Sequence, residues 1–322
     1  MTDTAEGITL GLCLTALAPA GAEAALAEAA RQGVRVVDLP TDSTLGLAAG
    51  ADALDPSRVD RLRTLLTRHG LTVGCVSNSR DAQLVLGPHG PHTDPVLRGT
   101  ADDKRRHGLA AAQGAVRLAA ALGAPYARLM LGVPDLSRWL SWWGSDVAWQ
   151  DNVEAWAAAA RPLLALAADL GVRVLVEPHP KQVAYDSASA RALLAAAPGV
   201  GLCVDPANLA AVGHDPVAAV TGWGEDLAAV HAKDLQVWRR PGEPRGAGWS
   251  RYGPGPAIRF RALGAGDLPW RSVVSALLDE DFRGVLYVEH EDALLPTAQG
   301  VARSLATLRD LVPAGTAQGR TW

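Results

Sequence analysis

Runs of Val, Leu, Ile and Cys alternate with Ala-rich amphipathic segments along almost the whole chain. The first run is about Ile8 to Leu14. The helix-like segment Ala22 to Gln32 follows it and ends before Gly33, a residue type that commonly adopts the left-handed conformation after a helix. The runs are continuously apolar, which is typical of strands buried on both faces in a parallel sheet. The pattern predicts eight strand–helix pairs in one domain that spans residues 1–322.

Eight pairs of this kind fit two architectures, a closed barrel and an open doubly wound sheet. The first strand–helix turn, LTALAPAG, lacks the G-x-G-x-x-G sequence that dinucleotide-binding doubly wound folds carry there. Strands five to eight all end on residues of metal-ligand type, and a closed barrel brings the ends of four successive strands around one point. The predicted fold class is therefore α/β, a single-domain (βα)8 TIM barrel.

Several segments between these elements have a distinctive composition. The sixth helix is predicted as a short segment after Asp215–Pro216. The stretch from about 236 to 266 is rich in Gly, Pro and Arg and is predicted to be an irregular, mobile loop over the site. Residues from about 313 to 322 have the composition of a frayed tail. In the Trp-rich segment after strand four, Trp142 and Trp143 are predicted to contact substrate or a partner at the barrel mouth.

The ends of strands five to eight share one design, an apolar run that stops on a polar residue. The runs are VRVLVEPHP, GLCVDPANL, LAAVHAKDL and GVLYVEHED, and they place Glu177, Asp205, His231 and Glu289 at the ends that face the open mouth of a barrel. Taken singly, each could equally be a salt-bridged group at the start of a loop. Burial of all four together requires charged partners or a metal. Such an oxygen-rich set suits Mn²⁺ or Mg²⁺, with Co²⁺ or Zn²⁺ as alternatives.

In their joint order these motifs resemble the xylose isomerase-like barrel superfamily, the sugar phosphate isomerase/epimerase group that shares its fold with abasic-site endonucleases. VEPHP resembles the strand-five Glu motif, CVDPANL the Asp motif, VHAKD the His-x-Lys-Asp motif, LGAGDLPW the Gly-x-Gly turn before helix seven, and YVEHED the closing Glu. The resemblance covers nearly the whole chain. It implies that Glu177, Asp205, His231 and Glu289 bind one divalent ion, often Mn²⁺, and that His179 binds substrate.

The resemblance implies a metal-dependent sugar isomerase or epimerase. Glu177 and Glu289 would remove and return a proton next to a carbonyl through a metal-bound enediolate. His179 and Lys233 would hold the substrate oxygens, although Lys233 could equally form a salt bridge with Asp234 or another carboxylate. Asn208 is a departure, because many epimerases have at this position a His that holds a substrate hydroxyl. An amide can bind that hydroxyl but cannot move a proton at neutral pH.

Two other functions remain open from the sequence. The first is a lyase on the same metal, either a dehydratase or the catalytic subunit of a C-glycoside deglycosidase, with His179 as the base. Such deglycosidases usually have a small second subunit, which, like a homo-oligomer, is a candidate partner. The second is a sugar-binding or scaffold protein without catalysis. The complete ligand set argues against it.

Composition and charge indicate which partners and which cellular location to expect. With a formal net charge of −4 the chain lacks the basic surface of a nucleic-acid-binding protein. No apolar run reaches the ~18 residues of a membrane-spanning helix, and MTDTAEG lacks the features of a signal peptide. We therefore expect a cytoplasmic protein that acts on a small sugar or glycoside and has no nucleic-acid or membrane partner. Cys13, Cys75 and Cys203 are expected to be reduced core thiols.

Overall fold

The computed structural model describes residues 7–44, 46–49, 55–136, 148–237 and 258–313. Within these residues, eight parallel strands form a closed barrel in which neighbours in the chain are neighbours in space and the last strand pairs with the first. The barrel strands are β1 (Thr9–Cys13), β2 (Val36–Pro40), β3 (Thr72–Asn78), β4 (Tyr126–Leu129), β5 (Arg173–Val176), β6 (Gly201–Val204), β7 (Leu227–Ala232) and β10 (Val285–Val288). The predicted single (βα)8 barrel is confirmed.

Helices follow the barrel strands along the chain and pack their apolar faces on them. They are α1 (Ala22–Arg31), α2 (Pro56–His69), α3 (Ala101–Leu122), α4 (Gln150–Asp169), α5 (Ser187–Ala196), α6 (Pro206–Ala210), α7 (Trp270–Asp279) and α8 (Thr297–Leu311). Local sequence explains their limits. Asp55 Oδ1 accepts a hydrogen bond from the Ser57 N–H at 2.9 Å at the start of α2, and Gly70 ends that helix in the left-handed conformation.

The prediction for the sixth helix was wrong. Helix α6 begins directly after Asp205, and Asp215–Pro216 precedes only a short 3-10 turn, Ala218–Val220. Both places carry the Asp-Pro pair that favours a helix start. From the sequence, Asp205 is predicted as a metal ligand because it ends a strand. Its second role, as the cap of α6, was not predicted.

The stretch predicted as irregular from 236 to 266 is ordered at both of its ends. Strands β8 (Asp234–Val237) and β9 (Ile258–Arg261) pair antiparallel outside the barrel. The carboxylate of Asp234 accepts hydrogen bonds from four backbone N–H groups, those of Leu235, Gly264, Gly266 and Leu268, at 2.8–3.1 Å. Asp234 thereby fixes the turn before α7. Residues 238–257 lie outside the described residues, as does 314–322 of the predicted tail.

The barrel interior below the mouth is filled by small and sulfur-containing side chains and by one large ring. Cys13, Cys75 and Cys203 are buried and unbridged, as expected of reduced thiols. The ring of Tyr287 is 1% exposed and lies against Gly11 and Gly74. A Cβ atom at Gly74 would lie 2.2 Å from the Tyr287 hydroxyl oxygen, so this glycine provides the space for the ring.

In the described part of the chain, no helix combines the length and the apolar character that a membrane crossing requires.

Candidate active site

The four predicted metal ligands meet at the carboxyl ends of β5, β6, β7 and β10. Side chains two residues apart on a strand share a face, so Glu289 points to the same side as the interior residue Tyr287. Ligand atoms of Glu177, Asp205 and His231 lie within 4.8 Å of one another. Glu289 Oε2 lies 3.5 Å from His231 Nδ1. The sequence-based expectation that these strand ends converge on one point agrees with this arrangement.

Glu177 is held at both carboxylate oxygens. Arg128 Nη1 donates to Oε2 at 2.7 Å, and Asn208 Nδ2 donates to Oε1 at 2.8 Å. Burial by itself would raise the pKa of Glu177, but the neighbouring Arg128 and His231 lower it well below its usual range. Glu177 is therefore an anion whose position is fixed from two sides. Asn208, which the sequence assigned to substrate, binds this carboxylate.

The two carboxylate oxygens of Asp205 have different partners: one caps a helix and the other faces the site. Its Oδ1 accepts hydrogen bonds from the backbone N–H groups of Ala207 at 2.8 Å and Asn208 at 3.2 Å, which caps α6. Its Oδ2 lies 2.9 Å from Lys233 Nζ. Complete burial raises the pKa of Asp205 to about 6, although the charge of Lys233 opposes this shift.

Lys233 lies among the predicted ligands rather than at the edge of the pocket. Its ammonium group is buried and donates to Glu289 Oε2 at 2.7 Å and also to Glu291. Burial by itself would lower the pKa of Lys233, but Asp205 and Glu289 raise it well above its usual range. Burial would likewise raise the pKa of Glu289, but Lys233 and His231 lower it. Lys233 and Glu289 therefore form a charged pair at one side of the site.

His179 lies just beyond the end of β5 and is half-buried. Its Nδ1 accepts a hydrogen bond from the Lys181 backbone N–H at 3.1 Å. Burial lowers the pKa of His179 to about 4, so its ring is neutral at physiological pH. Because Nδ1 is an acceptor, the proton of the neutral ring resides on Nε2, which can donate it to an oxygen. Trp142 and Trp143 lie outside the described residues.

Three further groups in the site were missed from the sequence. Asp38 in the middle of β2 and Arg128 in β4 are 0% and 3% exposed, and Cys13 ends β1. Arg128 Nε and His231 Nε2 each lie 3.6 Å from Asp38 Oδ2. The signals were present: VRVVDLP places an aspartate, and YARL an arginine, inside an otherwise apolar strand.

The charges of the site do not balance among its own side chains. It contains four carboxylates that are buried or nearly so and two permanently charged cations. The carboxylates are those of Asp38, Glu177, Asp205 and Glu289, and the cations are Arg128 and Lys233. Burial by itself would lower the pKa of His231, but Cys203 and the carboxylates of Glu289 and Glu177 raise it well above its usual range. The imidazole therefore counts as a third cation, and four negative charges exceed three positive ones by one. Buried charges require compensation, and a divalent cation among these oxygen donors fits both the charge and the ligand chemistry.

Comparisons of the sequence with known proteins give a family and a relative. A family model described as xylose isomerase-like TIM barrel matches residues 26–311. The uncharacterized protein YfiH of Bacillus subtilis (strain 168) is 26% identical over 219 residues, which are 61% of this chain and 69% of that protein.

Solved structures show the same fold at low identity. The 3-keto-D-glucoside 4-epimerase YcjR from E. coli is similar with a TM-score of 0.68 and 16% identity, over 94% of this chain and 99% of that chain. The probable 3-DHS dehydratase AsbF from Bacillus anthracis is similar with a TM-score of 0.64 and 14% identity, over 94% of this chain and 99% of that chain.

Proposed function

The chain belongs to the xylose isomerase-like TIM barrel family, and on this premise we propose that it is a divalent-metal-dependent sugar isomerase or epimerase. The observation that carries the proposal is a pair of glutamates at one imidazole. Glu177 Oε2 and Glu289 Oε2 lie 3.6 and 3.5 Å from His231 Nδ1, in a site with an excess of negative charge. The similarity to a solved epimerase supports the same class.

We assign the metal to Glu177, Asp205, His231 and Glu289, with Mn²⁺ as the proposed ion. Carboxylates with one imidazole are a hard donor set, and zinc sites usually contain more His or Cys. When bound, such an ion supplies Lewis-acid polarisation of a carbonyl oxygen and its neighbouring hydroxyl.

The side chains would then carry out the proton transfers. One glutamate removes the proton from the carbon next to the carbonyl, the electron pair of the C–H bond moves towards the carbonyl oxygen to give an enediolate, and the other glutamate returns a proton to carbon. Lys233 stabilises negative charge beside Glu289. His179, with its proton on Nε2, donates to a substrate oxygen. Asn208 holds Glu177 in place.

Reconstitution and solvent exchange test this function together. Protein loaded with Mn²⁺ is expected to hold about one ion per chain. In deuterated water it is expected to incorporate deuterium next to the carbonyl of at least one sugar from a panel of free, phosphorylated and 3-keto sugars. Protein treated with a chelator is the control and should incorporate none. The absence of a stoichiometric ion after reconstitution would refute the metal site.

A lyase is the second candidate, and the similarity to a solved dehydratase is the observation that favours it. The Nε2–H tautomer of His179 suits protonation of a leaving oxygen, whereas a role as base requires the ring to give up its bond from Lys181. Release of water or of an aglycone from dehydratase or C-glycoside substrates, without exchange in any ketose, would establish the lyase. An intact metal with neither reaction would indicate a binding protein.

A further inference from the structure

His231 lies between two groups of carboxylates. Its Nδ1 faces Glu177 and Glu289, at 3.6 and 3.5 Å, and its Nε2 faces Asp38 Oδ2 at 3.6 Å. Both Asp38 and His231 are 0% exposed. Within the described part of the chain, neither oxygen of Asp38 and neither ring nitrogen of His231 has a hydrogen-bond partner. A contraction of about half an ångström would bring Nε2 and Oδ2 to ordinary hydrogen-bond length.

We propose that Asp38 is the positioning residue of His231. Its carboxylate accepts the Nε2–H of the imidazole and leaves Nδ1 as the nitrogen with a lone pair, directed at Glu177 and Glu289. A neutral imidazole carries one N–H, and the hydrogen bond made by one nitrogen determines which nitrogen binds a metal. The inference rests on the proposed metal site and adds a residue that the motifs of strands five to eight do not contain.

The surroundings of Asp38 suit this role. Asp38 lies on a barrel strand, paired with Cys13 of β1 and Cys75 of β3, so its backbone is fixed by two ladders. Arg128 Nε lies 3.6 Å from the same Oδ2, while Arg128 Nη1 binds Glu177. One guanidinium group therefore connects the positioning carboxylate with a proposed ligand.

A competing arrangement uses the same residues. Ligand atoms of Cys13, Asp38 and His231 also lie within 4.8 Å of one another, so an ion could bind on the inner side of the imidazole through Nε2. Arg128 lies beside both Asp38 and Glu177, so its charge does not distinguish the two sides, but among the described residues the inner side offers only one carboxylate and one thiol. The outer side offers Glu177, Asp205 and Glu289 instead. We therefore assign the ion to Nδ1.

The first experiment compares metal affinity. Zn²⁺ and Mn²⁺ affinities are measured by competition with a chelator for wild type, Asp38→Asn and the matched control Asp42→Asn. Asp42 is also buried and lies four residues further along, but it accepts the backbone N–H groups of Ser79 and Arg80. Asp38→Asn is expected to bind about 10–100-fold more weakly, and Asp42→Asn within about twofold of wild type. An unchanged affinity in Asp38→Asn overturns the inference.

The second experiment uses only the wild-type protein and therefore does not depend on the folding of a variant. In zinc-loaded wild type with ¹⁵N-labelled histidine, the His231 ring is expected to show a metal-bound Nδ1 and a slowly exchanging proton on Nε2. Metal on Nε2, or a thiolate-to-metal absorption band in Co²⁺-loaded protein, overturns the inference in favour of the inner site at Cys13. The two proposals fail separately. A wild type that binds no ion refutes the metal site itself, whereas one that binds through Nε2 refutes only the role of Asp38.

Discussion

The two halves of the barrel mouth carry similar residue types but differ in the contacts that these residues make. Strands β5, β6, β7 and β10 end on Glu177, Asp205, His231 and Glu289, whose ligand atoms converge on one point. Strands β1, β2 and β4 contribute Cys13, Asp38 and Arg128, which contact those residues from the inner side. On the proposed assignment, one half is the ligand half and the other half supports the charge and orientation of the ligands. A carboxylate on a barrel strand therefore has no single role, because its partners determine what it does.

Substitutions of Asp205 are expected to have the largest effect in the ligand half, because one of its oxygens caps α6 and the other is a proposed metal ligand. Asp205→Ala removes the cap of α6, which costs about 0.5–2 kcal/mol, and also removes a proposed ligand. Asp205→Asn keeps a good cap but loses the charge. We expect both variants to lose stoichiometric metal and all measurable exchange, and only the Ala variant to lose the capping stability. Elemental analysis and urea unfolding of the metal-free proteins measure the two effects. Full metal occupancy in Asp205→Asn would contradict the assignment.

Glu177 and Glu289 are expected to transfer protons as well as bind metal. Glu177→Gln and Glu289→Gln should keep part of the metal, because an amide oxygen still coordinates, but should lose solvent exchange by about 10²–10⁴-fold. For an epimerase, each variant should impair exchange most strongly from one of the two epimers. The measurement is deuterium incorporation started from each epimer separately.

The opposite outcome would identify the lyase. If both Gln variants keep full exchange while His179→Ala abolishes turnover, the two-glutamate mechanism is wrong. The two glutamates differ in the residues that hold them. Glu177 is held by Arg128 and Asn208, whereas Glu289 is held by Lys233. Equal loss from both epimers in both variants would indicate ligands without proton transfer.

The sequence predicted the ligand half because that half consists of local patterns. Glu177, Asp205 and Glu289 each follow an apolar run, and a parallel barrel necessarily brings the ends of such runs to one face. The same reasoning does not reach Asp38, because this residue lies inside its strand, with Leu39 and Pro40 after it. It could not have predicted that Asp38 faces His231 at 3.6 Å, because that distance depends on the register between β2 and β7 across the closed barrel.

The features of the structure that the sequence did not predict have physical causes of a similar kind. A strand-end Asp before Pro can bind metal, cap a helix or do both, and only the hydrogen bonds of Asp205 distinguish these roles. The stretch from 236 to 266 is rich in turn-forming residues, but Asp234 accepts four backbone N–H groups and fixes its second end. Composition does not reveal such a long-range contact.

Arg128 tests the supporting half. Arg128→Met is expected to destabilise the metal-free protein by about 3–5 kcal/mol, because removal of one partner leaves the buried carboxylates of Glu177 and Asp38 uncompensated. Urea unfolding measures the loss. The double variant Arg128→Met/Glu177→Gln is the control and should be less destabilised than Arg128→Met alone, because it removes one of the uncompensated charges. A single variant within about 0.5 kcal/mol of wild type would show that Arg128 does not hold these carboxylates.

The smallest expected effect concerns the space that Gly74 of β3 provides for the ring of Tyr287. Tyr287 of β10 lies edge-on to His231, with ring centroids 6.5 Å apart, and its hydroxyl oxygen occupies the place where a side chain of Gly74 would lie. Gly74→Ala is expected to cost about 1–3 kcal/mol of unfolding free energy through overpacking. Tyr287→Phe should be tolerated, because the hydroxyl has no hydrogen-bond partner within the described residues. The double variant should recover part of the loss, since the Phe ring lacks the clashing atom. Additive losses in a double-mutant cycle would show that Gly74 is required for another reason.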